Sequence, residues 1–260
     1  MTADVLRAGP AAKMERPRWR LVDAAILTVV ALGCWQVIGH WTSGIALTPP
    51  LQTLAYLVSL VQTGMFWDHV GATMAAFLTA FALSATIGLA LGLVLGLRRF
   101  AGEVAEPILA GFYTIPKVTL YPVVLLVFGL GASAKIAFGV MHGLVPVVLF
   151  TLGAVRTMPP VLMRAARSMR LSGWQAMWSV LLPACLPAVV NGLRVGFSLS
   201  LLGVLIGEMF SSQRGLGFLL VNGLAQHNVP LTTSVVVVIV AGAIAANTLL
   251  LRLGRRFSHR

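Results

Sequence analysis

Long apolar stretches separated by short, mostly basic segments run through this sequence. Most of these stretches reach about 20 residues, the length that a helix needs to cross the hydrocarbon core of a bilayer. Backbone groups inside lipid must be satisfied within the protein, so these stretches are expected to be α-helices. The pattern predicts an all-α integral membrane protein with six transmembrane helices, at about residues 21–39, 70–97, 107–131, 133–155, 186–210 and 230–251.

Composition supports the same class of protein. Apolar residues make up 58% of the 260 residues, charged residues only 10%, and the mean hydropathy is +0.92. A soluble domain carries about a quarter charged residues, so a water-soluble enzyme is excluded and lipid must surround much of the chain. The net charge of +12 could suggest nucleic acid, but the basic residues lie at the ends of apolar segments, so no nucleic-acid partner is expected.

The basic residues predict the orientation of the chain. With both termini in the cytoplasm, only Lys135 and Arg214 fall in outer segments, which agrees with the positive-inside rule. Residues 1–20 then form a basic cytoplasmic tail, residues 21–253 the transmembrane domain and residues 254–260 a second basic tail. Residues 156–185 form a cytoplasmic loop, and residues 211–228 are interpreted as a glycine-bearing outer loop.

Two of the predicted spans have distinctive features. The span at 107–131 contains Pro116 and Pro122, which predict a kinked or discontinuous helix. In the span at 70–97, small residues recur every fourth position, and such residues let membrane helices approach closely. This predicted packing stripe consists of Ala72, Ala76, Ala80, Ser84, Gly88, Gly92 and Gly96.

The sequence contains no recognisable source of energy or catalysis. A GxxxxGK[ST] phosphate-binding loop is absent, because none of the lysines, Lys13, Lys117 and Lys135, follows a glycine. No metal-binding spacing and no pairing of nucleophile and base is found. The chain is therefore predicted not to be an enzyme and to hold no cofactor; if nucleotide powers it, ATP and Mg²⁺ bind to another chain.

The cytoplasmic loop contains a basic amphipathic block from Arg164 to Pro183. Arg164, Arg167 and Arg170 repeat every third residue, which places them on one broad face of a helix. Apolar residues occupy the opposite face. Such a segment can dock on another protein or lie on anionic lipid, and the pattern alone leaves both open.

This block resembles the cytoplasmic loop of bacterial ABC-importer permeases, which usually reads Glu-Ala-Ala, three residues, Gly, and later Leu-Pro. Ala165-Ala166 and Leu182-Pro183 fall at that spacing, whereas Arg164 and Arg170 replace the usual Glu and Gly. Within that family the chain is similar to the taurine/sulfonate/nitrate group. The residues that carry this second resemblance are Thr114–Lys117, Leu130–Ile136, Gly207–Met209 and Gly215–Gly217.

The resemblance implies a permease subunit in the bacterial inner membrane. It also implies a second copy of the permease as a homodimer, two ATPase subunits and an external solute-binding protein. Members of the group carry taurine, alkanesulfonates, nitrate or bicarbonate, or pyrimidine precursors of thiamine. In such permeases the loop holds a coupling helix that inserts into the ATPase. The corresponding positions are Arg164, Ala165, Ala166, Arg167, Arg170, Gly173, Trp174, Leu182 and Pro183.

Polar residues inside the predicted spans are candidates for the transport pathway, because each is costly in lipid. They are Lys117, His142, Asn191, Arg194 and Glu208.

Each of these candidates also has a structural interpretation. Glu208 could gate the pathway, pair with Arg214 or lie at the interface. Arg194 could extend its side chain to the cytoplasmic surface or attract an anion, and His142 and Asn191 could simply link helices. The expected function is inward transport of a small anionic solute by alternating access. The alternatives are an ion-coupled secondary transporter and an importer of a neutral solute.

Overall fold

The computed structural model describes residues 19–42 and 47–258, and over these residues every regular element is helical. The chain divides into two compact units, residues 1–52 and 53–260. In the first unit, the Trp35 indole nitrogen donates a hydrogen bond to the Thr48 carbonyl at 3.0 Å. The predicted basic tail at residues 1–20 lies, except for its last two residues, outside the described residues.

The described helices are numbered in chain order, and two short turns of different geometry interrupt the series. A 3₁₀ turn covers Lys117–Leu120 and a π-helical turn covers Met177–Leu181. The α-helices are α1 (Trp19–Trp41), α2 (Pro50–Val61), α3 (Gly64–Leu97), α4 (Arg99–Thr114), α5 (Tyr121–Phe128), α6 (Ala132–Arg156), α7 (Pro160–Ser168), α8 (Gly173–Ala176), α9 (Leu182–Ser211), α10 (Leu216–Ala225) and α11 (Val229–Ser258).

Among the described residues, four helical runs are long and apolar enough to cross a membrane. They are Gly64–Leu97, Ala132–Arg156, Gly173–Ser211 and Val229–Arg252. The predicted span at 21–39 lies in α1, whose apolar stretch, Ala25–Trp41, is shorter than these four. The count of six spans therefore remains a prediction.

The predicted span at 107–131 is broken, as its two prolines indicated. Helix α4 ends at Thr114, and the Lys117–Phe128 segment continues at an angle of 88° to it. Pro116 lacks an N–H donor and disfavours a helical conformation in the residue before it, so the helix ends there. If the two halves count as one span, the described residues contain five.

Helix α6 packs against both α3 and α9, and small residues allow the close approach. A Cβ atom added to Gly92 of α3 would lie 2.5 Å from the Cβ of Thr151 of α6. Gly88 and Gly96 face Val147 and Val155 in the same way. The three glycines of the packing stripe predicted on α3 therefore lie against α6, and larger side chains there would force the helices apart.

A second set of small residues lies on α9 and was not singled out from the sequence. Gly192, Gly196, Ser200, Gly203 and Gly207 are buried, and added Cβ atoms at the four glycines would collide with α6. These residues follow one another at intervals of three or four positions, a pattern that the sequence shows. The prediction of a loop at residues 211–228 was also wrong in part, because α10 occupies residues 216–225.

Candidate functional site

The segment that resembles a coupling loop forms two short helices joined by a tight turn. Helix α7 begins with Pro160 in its first turn, where the missing N–H of proline costs no hydrogen bond. Helix α8 begins with a reciprocal capping arrangement: the Gln175 N–H donates to the Ser172 hydroxyl, and the Ser172 N–H donates to the Gln175 side chain. We call residues 160–176 the α7–α8 segment.

Arg170 forms the turn of the α7–α8 segment and has a left-handed backbone conformation, with φ of 52°. Its N–H donates to the Arg167 carbonyl, and the Leu171 N–H donates to the Ala166 carbonyl at 3.1 Å, which closes the end of α7. Glycine is the usual residue at such helix ends, because a Cβ atom is unfavourable there. Arg170 therefore occupies a position where related loops usually have glycine, at a cost in conformational strain of about 1 kcal/mol.

The α7–α8 segment leads into α9 without a break. Residues Gly173–Ser211 form one helical run of 39 residues, which includes the π-helical turn. That turn precedes Pro183, whose missing N–H and bulky ring disturb the regular bonding pattern; the Leu182 N–H donates instead to the Met177 carbonyl, five residues back. A continuous helical backbone therefore joins α8 to α9.

The α7–α8 segment and the turn after it carry an exposed face of apolar and basic side chains. Trp174 and Trp178 contact each other edge to face, with ring centroids 5.4 Å apart, and both remain exposed. Arg164, Arg167 and Arg170 are also exposed, and none forms an ion pair with a described residue. Ala166 and Ala176, by contrast, are buried against the neighbouring turns. This face has the composition of a docking surface.

Helix α4 is linked to the end of α6 by ion pairs. The Arg156 guanidinium contacts the carboxylate of Glu106 and lies 3.6 Å from that of Glu103. Glu103 also pairs with Arg99 one helical turn earlier, at 3.1 Å. All four side chains are partly exposed, so their contribution to stability is small. The pairs link α4 to the last residue of α6.

At the other end of α9, Glu208 is completely buried and its carboxylate is fully engaged. Oε1 accepts a hydrogen bond from the Lys135 ammonium at 3.2 Å. Oε2 accepts from the Thr73 hydroxyl at 2.8 Å and from the Gly217 N–H at 3.0 Å. The carboxylate therefore joins α3, α6, α9 and the start of α10.

The loop around Gly215 completes this cluster, which we call the Glu208 cluster. The Gly215 N–H donates to His69 Nδ1 at 3.0 Å, and the Leu216 N–H donates to the Thr73 hydroxyl at 2.8 Å. Gly215 has φ of 127°, and a Cβ atom there would overlap the Glu208 carboxylate. This network of hydrogen bonds therefore holds the helices together at this end of α9.

Sequence reasoning missed the partners of Glu208. It considered Arg214, but the ion pair is with Lys135, and Arg214 contributes only a backbone carbonyl that accepts from Lys135 at 3.3 Å. The residues are 73 positions apart, so no local spacing indicates the pair. The available signal was chemical: two opposite charges near the same predicted side of the membrane need each other.

The side chains of two other pathway candidates, Lys117 and His142, contact residues four positions earlier in the chain. The Lys117 ammonium donates to the Tyr113 carbonyl at 3.2 Å and lies 4.9 Å from the centre of the Tyr113 ring. His142 Nδ1 lies 2.9 Å from the Phe138 carbonyl one turn earlier, and the two rings pack at 4.5 Å. Neither side chain is paired with an acidic residue among those described.

Arg194 lies near the middle of α9 and reaches sideways to α11. Its Nη2 donates to the Asn247 side-chain oxygen at 3.3 Å, whereas its buried Nε–H has no partner in the described chain. The side chain lines a cavity of about 530 Å³, which we call the Arg194 cavity. Its lining includes Tyr113, Phe150, Asn191, Arg194, Ser198 and Asn247.

Comparison with known sequences identifies relatives that match most of the chain. The family described as "Binding-protein-dependent transport system inner membrane component" matches residues 84–260. The riboflavin transport system permease protein RibX of Chloroflexus aurantiacus is 32% identical, over 84% of this chain and 83% of the relative. The taurine transport system permease protein TauC of Escherichia coli is 28% identical, over 78% of each chain. A putative aliphatic sulfonates permease of the same organism is 32% identical, over 79% of each.

The fold is also similar to that of a solved transporter. An inward-facing structure of the MetNI methionine ABC transporter aligns with a TM-score of 0.62 and 22% identity, over 74% of this chain and 96% of the other. The chain is thus a membrane transport component rather than an enzyme, and the ATPase is a separate subunit. From the extent of the family match and the identity to its relatives, the chain belongs to the binding-protein-dependent inner membrane components, the permeases of ABC importers.

Proposed function

We propose that this permease moves a small anionic solute into the cell by alternating access. The observation that carries the anionic cargo is that Arg194, within a predicted span, forms no ion pair with a described residue. A cation inside a membrane protein costs about 2.5–3.5 kcal/mol on insertion scales unless something compensates it. An anion passing through would supply that compensation.

The proposed mechanism begins at the α7–α8 segment, on which a partner ATPase docks. The exposed Trp174, Trp178 and Arg170 provide the contact surface. When ATP draws the two ATPase subunits together, α8 moves, and the uninterrupted run Gly173–Ser211 transmits the movement to α9. The tightly packed α3, α6 and α9 then reorient as one body.

We further propose that two copies of the chain form the pathway and that both termini are cytoplasmic. Asn191 and Ser198 are exposed on α9 in the single chain, although they lie in the middle of an apolar span. Polar side chains inside membranes usually face other helices or a water-filled path rather than lipid. A second copy would cover this face. An external solute-binding protein would deliver the solute at the opposite end from the ATPases.

A neutral aromatic solute is the second candidate cargo. Tyr113 and Phe150 line the Arg194 cavity, and both rings are partly exposed, so a flat heterocycle could stack there. Relatives named for riboflavin and for formylaminopyrimidine are in keeping with such a cargo. An ion-coupled carrier is less well supported, since Glu208 is fully occupied by its four-helix contacts.

The test is purification from membranes followed by reconstitution into vesicles. We expect an ATPase subunit to co-purify and uptake to require ATP, with anionic solutes such as alkanesulfonates preferred. Substituting Trp174 and Trp178 by Ser should abolish ATPase co-purification while leaving the permease folded. Uptake by the chain alone, driven by an ion gradient, would refute the proposal. ATP-driven uptake limited to neutral solutes would refute its anionic part.

A further inference from the structure

The Arg194 cavity contains one formal charge, and that charge lacks a counter-ion. Among the described lining residues Arg194 is the only ionisable side chain besides Tyr113, and no carboxylate lines the cavity. A guanidinium has five N–H donors. One of these donates to Asn247 at a long 3.3 Å, and the buried Nε–H has no partner. Most of the donor capacity of this residue is therefore unused.

The Arg194 side chain contacts a neighbouring helix near the middle of its own helix. It lies 12 positions after the start of α9 at Leu182 and 17 before its end at Ser211, or about 18 Å and 25 Å along a helix with a rise of 1.5 Å per residue. Its side chain extends to Asn247 of α11, not along α9 towards an end. The charge is therefore held at mid-helix by a neutral amide.

Lys117, another cation within the predicted spans, differs in this respect. Lys117 donates to a backbone carbonyl at 3.2 Å and lies over the Tyr113 ring, so its local environment already stabilises the ammonium group. Its side chain is also buried, whereas the Arg194 cavity is open on the side where Asn191 and Ser198 are exposed. Arg194, by contrast, faces a space that could hold a ligand.

Two carboxamides complete the donor set. Asn191 lies one turn before Arg194 on the same face of α9, and its side chain has no hydrogen-bond partner among the described residues. Because the Asn247 oxygen accepts from Arg194, its amide nitrogen is left to donate elsewhere. The Ser198 hydroxyl, in contrast, already donates to the Arg194 carbonyl at 3.3 Å. A planar guanidinium flanked by two amide donors suits an oxyanion.

A second cavity beside α9 provides an internal comparison. It has a volume of about 380 Å³ and is lined almost entirely by apolar side chains, among them Phe77, Phe197, Leu201 and Val238. That cavity offers nothing to orient a polar ligand, and lipid chains could fill it. The two cavities beside α9 therefore differ in chemistry, and the Arg194 cavity is the polar one of the two.

We propose that the Arg194 cavity is the site at which the permease binds its cargo, a small organic oxyanion of the sulfonate or carboxylate type. Arg194 pairs with the anionic head group through its fork of N–H donors, and Asn191 and Asn247 donate to the remaining oxygens. The rings of Tyr113 and Phe150 contact the apolar body of the solute. This inference rests on the proposed transport function and adds the site that selects for charge.

The test compares two probes of similar shape and different charge. The full-length permease, purified with its ATPase partner and held in lipid nanodiscs, is titrated with methanesulfonate or with uncharged dimethyl sulfone at constant ionic strength. Binding is measured as the rise in unfolding temperature. We expect methanesulfonate to stabilise the complex and dimethyl sulfone not to. In R194Q the half-saturating concentration should rise tenfold or more, as expected for losing charged hydrogen bonds worth about 1.5–3 kcal/mol.

Matched variants separate recognition from folding. R252Q removes the same charge from an exposed position on α11 and should leave the titration unchanged. R194K keeps the charge but loses the planar fork, so it should bind methanesulfonate more weakly than the wild type and better than R194Q. If R194Q does not fold, R194K and N247A provide the same comparison, since N247A should weaken binding about threefold to tenfold.

Two results would overturn the site. The first is equal stabilisation of the wild type by both probes. The second is a methanesulfonate titration that does not change in R194Q or, if R194Q does not fold, in both R194K and N247A. Failure of the site is distinguishable from failure of the proposed function. If vesicles import anions equally well with R194Q, the site is wrong and anion transport stands. If methanesulfonate binds through Arg194 while only neutral solutes are imported, the site stands and the transported class is wrong.

Discussion

Lys135 and Arg194 are both cations within membrane-spanning helices, and the structure surrounds them in opposite ways. The Lys135 ammonium pairs with a completely buried carboxylate, Glu208, and donates to a backbone carbonyl. Arg194 has a single neutral amide partner and opens onto a cavity. The paired charge joins helices, whereas the unpaired charge is available to a ligand. We therefore infer the cargo site at the charge that lacks a counter-ion rather than at the buried, paired one.

Removing the carboxylate of Glu208 should have the largest effect on stability. In E208A the Lys135 ammonium remains buried without its counter-ion, and breaking such a pair costs about 3–5 kcal/mol. We expect a large fall in the unfolding temperature of the purified protein in detergent. E103A is the matched control, because its partly exposed ion pairs are worth about 1 kcal/mol or less.

The double variant K135M/E208A sharpens this comparison. Removing both charges leaves no uncompensated ion, so the double variant should be more stable than E208A alone. An E208A protein as stable as the wild type would mean that the Glu208 cluster does not hold the helices together.

Gly215 provides the second largest effect, because it closes the Glu208 cluster. Its backbone φ of 127° is one that residues with a side chain rarely adopt. A Cβ atom there would also overlap the Glu208 carboxylate. We expect G215A to lower the free energy of unfolding by about 3 kcal/mol. The control is G71A in α3, where an added Cβ meets no atom within 4 Å and alanine favours the helix. Equal effects of the two variants would contradict the packing described here.

Removing the charge of Arg194 should not lower the stability of the protein, in contrast to the changes at Glu208 and Gly215. Replacing it with methionine removes an uncompensated charge and keeps a long side chain, so R194M should be as stable as the wild type or more stable, by at most about 2.5 kcal/mol. The unfolding temperature of the purified protein measures this directly. A loss of stability as large as that of E208A would show that Arg194, too, has a structural role.

The smallest effect is expected at Arg170, whose charge is exposed. R170G relieves the left-handed strain of the turn and should stabilise the protein by about 1 kcal/mol or less, within the range for relieving one strained residue. The same thermal measurement detects it, with R167G as the control: Arg167 lies inside α7, where glycine lowers stability. A clear loss of stability in R170G would mean that the arginine side chain holds the turn.

The contrast between these charges marks the limit of what the sequence could predict. The apolar length and the prolines indicated helices and a break near Pro116, and the structure has both. The family was recognised from short motifs, and the relatives bear it out. These features depend on local chemistry, which a sequence records directly.

Pairings between distant residues were not predictable in this way. Nothing near Glu208 points to Lys135 or Thr73, and contact with Asn247 was not among the roles considered for Arg194. Helix α10 was missed because Gly215, Gly217 and Gly223 suggested a loop, although two of these glycines allow close contact with α9 residues. Such contacts depend on how the helices are arranged, which no single segment specifies.

The most direct test of the role assigned to Arg194 is the charge preference of transport itself. ATP-driven uptake of labelled methanesulfonate and of labelled dimethyl sulfone is measured in vesicles that contain the permease, its ATPase and its binding protein, for wild type and R194Q. We predict a strong preference for the anion in the wild type and its loss in R194Q, with ATP hydrolysis retained. An unchanged preference in R194Q would contradict the role of Arg194 in selecting the cargo.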